Sequence, residues 1–444
     1  MASLDIKKKY YIEIFITLIF IADLFLKVLP VIPLGLLIAL YVVFRSNNYE
    51  RVFLFLIYYP FYVGAFMNTV GMNGVGGWFN IIGALMIAYM MVSGQKPIRK
   101  AESSILSFLA LLSLFAISVF TTAGGDAAVP KLTNTFIQGS LYLVAFLVFY
   151  SNHERFDTFK IGVFYIMMSA IILRLSIITD QIPGPAGLAD IGFLKNQRPS
   201  EEDVEGFVIG YQNLGFMCVQ GMGFFLMTFR NKIDFEKILI LLLGALVVLY
   251  AGSRQAIVTA VFIFAIWFLQ LRFAKKSGSL ILIAVGVMVI YYLAQLLLGD
   301  EGLFSSVADQ GYVEGGGRGP WLLRGIELFL DHPWWGVGFG RYNLWGVYDT
   351  YPHNIIIEIL CEMGILGFVA VLFISMRSIL KNKAAFSYVL YLFIAMFLRA
   401  MASGGMSQNI ILFTMLFALP SLRLSSSKSL DKNRATFENT DHLV

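Results

Sequence analysis

Apolar runs long enough, or nearly long enough, to cross a bilayer recur along almost the whole chain, and no other feature limits its folding more. In hydrocarbon every backbone N–H and C=O has to be paired within the protein, so such a chain is restricted to a bundle of helices. The runs fall at about 10–29, 31–44, 52–69, 78–94, 104–122, 133–150, 161–179, 207–229, 238–251, 255–271, 279–298, 353–375, 385–402 and 406–422. With 58% hydrophobic and 14% charged residues and a mean hydropathy of +0.76, a soluble globule is excluded. The expected fold is an all-α integral membrane protein, a polytopic helical bundle of about 12–14 transmembrane helices. The first run follows Lys7, Lys8 and Lys9 and ends without a small-residue cleavage site, so it reads as a retained helix.

The charges sort by loop. Alternate loops hold 23 of the 33 lysines and arginines, beginning with Lys7–Lys9 and ending with Arg423, Lys428, Lys432 and Arg434. The intervening side, counted with its helix ends, holds eight: Lys27, Lys131, Lys195, Arg198, Arg254, Arg318, Arg324 and Arg341. Arg174 and Arg399 fall within helices. Positive-inside bias then puts both termini in the cytoplasm and two long segments, 180–206 and 299–352, outside it. Both are rich in Gly, Pro and acidic residues, as solvent-facing functional loops are, and the second is expected to contain short helices. Residues 1–424 read as a single membrane domain, and the polar stretch 425–444 as a disordered cytoplasmic tail. The net charge of +5 is thus largely topological. The lipid bilayer is an expected partner and nucleic acid is not.

Several chemistries are disfavoured. Cys218 and Cys361 lie inside apolar runs, so neither a disulfide framework nor a cysteine-rich metal site is available. The sequence "GVGFGRYN" lacks the Lys-Ser/Thr of a phosphate-binding loop, and no zinc-type His-Glu-x-x-His pair occurs. No Asp-x-Asp pair marks the outer loops, so neither metal nor cofactor is expected. No internal repeat of the kind that builds transporters from duplicated halves is visible.

Ionisable groups at membrane depth cost several kcal/mol each, so the few present are informative. In "YPHNIIIEILCEMGILG" (351–367), Asn354, Glu358 and Glu362 recur every four residues and share one helical face, which must look into the bundle. The two glutamates read best as interhelical hydrogen-bonding groups, and Gly364 and Gly367 as sites of close helix packing. His353 differs, standing at the outer end of its helix after Pro352. A helix N-terminus and nearby arginines disfavour an imidazolium there, leaving a ring able to take a proton. Arg254 in "AGSRQA" and Arg318, ahead of an amphipathic stretch from Trp321 to Leu330, fall on the same side. Arginines gathered on one face point to an anionic, phosphate-bearing ligand.

The spacing His353-Asn354, nine residues, Gly364-x-x-Gly367 resembles the His-Asn-x9-Gly-x-x-Gly pattern of the bacterial O-antigen ligase and Wzy-type polymerase superfamily. "GYQNLG" (210–215), "AGSRQA" (251–256) and "RGPWLLRGIELFLDHPWWGVGFGRYN" (318–343) resemble it in the same order, so the likeness covers roughly 205–375. Family members more usually show Asn-Pro where this chain has His332-Pro333, and Pro-Asn where it has Gln212-Asn213. The resemblance implies a metal-independent, inverting glycosyltransferase acting on undecaprenyl diphosphate-linked oligosaccharides at the extracytoplasmic face of the bacterial inner membrane. Arg254 and Arg318 would hold the diphosphate and His353 would be the general base. Arg324, Arg341, Asn213, Asn354 and Arg198 are candidate substrate-binding residues. A chain-length regulator and a flippase of the same pathway are the implied protein partners. The leading expectation is a polymerase, with a ligase acting on lipid A-core as the alternative. A flippase with Arg174, Glu358, Glu362 and Arg399 along its path is more remote.

Overall fold

The computed structural model describes residues 31–69, 76–99, 101–121, 128–178, 211–227, 235–251, 253–270, 319–342, 351–401 and 404–422, together with Phe15, Leu18 and Ile19. In chain order the helices are α1 (Val31–Arg45), α2 (Asn48–Ile57), α3 (Tyr59–Thr69), α4 (Gly76–Val92), α5 (Glu102–Thr121), α6 (Ala128–Ser151) and α7 (Thr158–Ile178). They continue with α8 (Tyr211–Met227), α9 (Phe235–Tyr250), α10 (Arg254–Gln270), α11 (Gly319–Asp331), α12 (Ile355–Lys381), α13 (Lys383–Ala400) and α14 (Met406–Ala418). No strand occurs among the described residues. The fold is an all-α polytopic membrane bundle. Among the described residues five helices, α5, α6, α7, α12 and α13, are long and apolar enough to cross a bilayer, and the shorter apolar helices pack among them.

Every expected run that falls on described residues contains a helix. The runs at 10–29, beyond three residues, and at 279–298, like the 180–206 loop and the 425–444 tail, lie outside those residues. The run at 52–69 is two helices rather than one. The division falls at Tyr58, and Pro60, which has no N–H to donate, stands in the first turn of α3 where none is needed. α2 starts on a capping box, with Asn47 Oδ1 accepting from the Glu50 N–H and Glu50 Oε2 from the Asn47 N–H, each at 3.0 Å.

Between helices in lipid, cohesion comes from van der Waals contact more than from water exclusion. α7 and α8 pack on each other most extensively, followed by α6 and α14. Phe53 of α2 is wholly buried, its ring centroid 5.4–5.9 Å from those of Phe146, Phe149, Phe156 and Phe224. One end of the bundle gathers the basic turns. There Asn47 donates to the Arg155 carbonyl (2.8 Å), the Arg99 N–H to Ser151 Oγ (2.9 Å) and Lys381 Nζ to Ser103 Oγ (2.6 Å), while Lys160 pairs with Glu50. The starts of α8, α10 and α12 and the end of α13 meet at the opposite end.

Candidate active site

The chain enters α12 through Tyr351–Asn354. Asn354 caps the helix, its Oδ1 accepting from the Ile356 and Ile357 N–H groups at 3.0 and 3.2 Å. Its Nδ2 donates to the Met401 carbonyl at 3.0 Å, tying the start of α12 to the end of α13. His353, one residue earlier, has φ +55°, and among the described residues it alone combines a side chain with a positive φ. Such a conformation persists where surrounding contacts over-determine it, and it is commoner at functional sites than elsewhere. Two rings supply those contacts. Trp321 of α11 stacks on the imidazole with centroids 4.6 Å apart and planes 25° from parallel, and Tyr351 lies at 4.5 Å and 60°. α11 is held in turn by Tyr342 Oη donating to the Trp321 carbonyl (2.7 Å) and by Gly325 packing against Pro352 and Ile357.

Segments distant in sequence join at this end. Gly215 near the start of α8 lies against Ser253 and Ala256, which flank the start of α10. Gln255 Nε2 donates to the carbonyls of Leu398 (2.6 Å) and Arg399 (3.2 Å), and Arg399 Nη2 donates to Asn213 Oδ1 (3.3 Å). The stretches "YQN", "SRQA" and "YPHN" therefore converge on the last turn of α13, whereas the sequence had placed Arg399 within a helix, with a role only on the flippase reading.

Below His353, α12 is interrupted. Gly364 has φ +65° and ψ −172°, a backbone state open in practice to glycine alone. The interruption strands the Cys361 and Glu362 carbonyls, and the loop after α11 takes them up: the Val337 and Gly338 N–H groups donate to them, both at 2.8 Å. The Ile365 N–H, freed on the other side, donates to the Pro333 carbonyl at 2.8 Å. Non-helical backbone is tolerated at membrane depth where protein satisfies it. A Cβ on Gly364 would stand 2.3 Å from the Trp334 carbonyl oxygen, and one on Gly336 2.4 Å from the Glu362 backbone. Gly364 thus breaks the helix and admits a loop, where helix-on-helix packing was expected. Residues 336–340 and Tyr342 are buried, unlike the solvent-facing loop read from the sequence.

The glutamate stripe has a partner the sequence did not reveal. Lys131, in the first turn of α6, places Nζ 2.5 Å from Glu358 Oε1 and 2.8 Å from Glu362 Oε2, with both glutamates 1% exposed. Glu358 Oε1 also accepts from the Met406 N–H (3.0 Å), so its bonding goes to α6 and α14 and not to His353. Lys131 Nζ sits 4.9 Å from the centre of the Phe339 ring, which stacks on Phe115 at 4.4 Å.

Of the other expected site residues, Arg254 is described by its backbone, at the first position of α10 beside Gln255. Arg324 is partly exposed on α11 and pairs with Glu327 at 2.9 Å. Arg341 lies half-buried in the loop that plugs α12, its Nε without a hydrogen-bond partner among the described residues. Asn354 is taken up as a helix cap. Arg198 and Arg318 lie outside the described residues, although Arg318 immediately precedes α11. No group of three or more His, Cys, Asp or Glu side chains is placed to hold a metal among the described residues.

Residues 239–372 match the family model described as O-antigen ligase. The match supports placing the chain with the O-antigen ligase/Wzy superfamily. The matched segment holds α10, α11, the plugged loop, His353 and the Gly364 break, whereas Asn213 and Arg399 flank it. Enzymes of this superfamily are membrane glycosyltransferase-like ligases and polymerases, and the family implies lipid-linked glycan substrates and a membrane setting. No curated protein matches the chain.

Proposed function

We propose that the protein is a Wzy-type polymerase that joins undecaprenyl diphosphate-linked repeat units, working at the extracytoplasmic face of the bacterial inner membrane. The observation that carries this reading is His353, held at positive φ between Trp321 and Tyr351 where the motif segments converge. The acceptor hydroxyl oxygen attacks the donor's anomeric carbon as the bond from that carbon to the diphosphate oxygen breaks. The hydroxyl proton passes to the His353 ring, and the electron pair leaves with the polyprenyl diphosphate. General-base help of this kind contributes about 10²–10⁴-fold. Arg254 and Arg318 neutralise the departing anion, which is positioned charge stabilisation. The N-termini of α8, α10 and α12 add favourable dipole ends. The basic turns at the other end of the bundle support a cytoplasmic placement for that end and for both termini.

Ligase activity is the second reading, favoured by the description of the matched family model. Reconstitution in proteoliposomes with a defined undecaprenyl diphosphate-linked repeat unit separates them. Longer lipid-linked oligomers from that substrate alone are expected. Products that form only after lipid A-core is added mean a ligase, and translocation without new glycosidic bonds overturns the transferase reading.

A further inference from the structure

The described cations differ in how they are compensated. Lys131 has two carboxylates, Lys160 has Glu50 and Arg324 has Glu327. Arg399, at the end of a membrane-embedded helix, has no carboxylate partner among the described residues. Among the described residues its neighbours are neutral: the Asn213 amide oxygen at a long 3.3 Å, the Phe216 ring at 5.9 Å, and the Tyr142 and Tyr351 side chains, while its Nε is buried with no hydrogen-bond partner among them. A partly buried guanidinium with no counter-ion among the described residues carries a desolvation cost, and the carbonyl end of α13 offsets only a small part of it. Its position is nevertheless fixed from two sides, by Gln255 on the Leu398 and Arg399 carbonyls and by Asn354 on the Met401 carbonyl. The same two residues adjoin Arg254 and His353.

We propose that Arg399 is the core of an anion-binding subsite, walled by Asn213, Phe216 and Tyr351, which takes a phosphoryl oxygen of the polyprenyl diphosphate substrate. This rests on the reading of the protein as a polyprenyl diphosphate-dependent transferase and adds a substrate ligand outside the segment that matches the family. Tyr351 packs against the His353 ring and lies within electrostatic reach of Arg399, so an anion seated there lies near the proposed base. The guanidinium fork suits phosphoryl oxygens better than a lysine ammonium does.

The test compares wild type, Arg399→Gln and Arg399→Lys in nanodiscs, by ligand-free melting temperature and by affinity for polyprenyl diphosphate, polyprenyl monophosphate and phosphatidylglycerol. A charge-assisted hydrogen bond lost from the complex predicts about 10- to 100-fold weaker polyprenyl diphosphate binding by Arg399→Gln. Arg399→Lys should lose less, and ligand-free Arg399→Gln should melt no lower than wild type, because no ion pair is broken. Unchanged affinity in Arg399→Gln, or a lowered ligand-free melting temperature with unchanged affinity in Arg399→Lys, overturns the subsite and makes Arg399 structural. Equal weakening toward phosphatidylglycerol also overturns it, as a site for ordinary lipid headgroups. Transfer by wild type is assayed alongside. If wild type transfers while Arg399→Gln binds normally, the subsite alone fails; if wild type binds polyprenyl diphosphate but transfers nothing, the transferase reading fails and the subsite stands.

Discussion

Two stations on α12, about two turns apart, treat polar groups in opposite ways. At the lower one, around Glu358, Glu362 and Gly364, Lys131 bridges the two carboxylates, leaving Glu358 Oε2 without a hydrogen-bond partner among the described residues, and the interrupted backbone is paired with the loop after α11. At the upper one, around His353, the backbone is strained, the imidazole is gripped by rings, and the nearby Arg399 has no carboxylate among the described residues. A membrane protein keeps internally satisfied polar groups to hold its shape, and tolerates incompletely satisfied ones where a ligand completes them. On this basis we propose that the lower station is architecture and the upper one chemistry.

Substitutions at the two stations should therefore separate stability from activity. The largest loss of stability is expected for Lys131→Met, which leaves two buried carboxylates facing each other and should cost about 3–5 kcal/mol. Adding Glu358→Gln and Glu362→Gln to it should recover part of that, read as the melting temperature in detergent; no recovery would mean that the charges are not the cause. Gly364→Ala comes next, at about 1–3 kcal/mol from backbone strain alone, with more from the contact with the Trp334 carbonyl. It should also raise hydrogen exchange at Val337 and Gly338, whose acceptors move, and unaltered exchange there would argue against the plugged break. Asn354→Ala removes a helix cap and should cost about 1 kcal/mol, with transfer reduced in proportion to folded protein. A far larger loss of transfer would return Asn354 to the substrate-binding set.

The sequence carried much of the bundle, because apolar length and flanking charge are what a bilayer selects, and these are local properties. It carried less where partners are remote. Glu358 and Glu362 announced that they needed compensation, yet Lys131 is 227 positions from Glu358 and stood only as one basic residue on the sparse side. The loop 332–342, rich in Gly and aromatic residues, looked external because composition does not say that Gly336 and Gly364 bring two backbones into contact. Arg399 was hidden in an apolar run, its meaning set by Gln255, Asn213 and Asn354 arriving from elsewhere. Of the proposed site, His353 and Arg254 were legible through motif spacing, and the Trp321 and Tyr351 rings around the imidazole were not.

The smallest change in stability and the largest in activity should coincide at His353. His353→Asn is the sharpest variant, because asparagine tolerates a left-handed backbone and cannot serve as the base. Measured in the same proteoliposomes, its transfer of undecaprenyl diphosphate-linked glycan should fall at least about 100-fold, with a melting temperature matching wild type. Transfer at the wild-type rate would remove His353 from the chemistry and contradict the division of α12 into an architectural and a catalytic station.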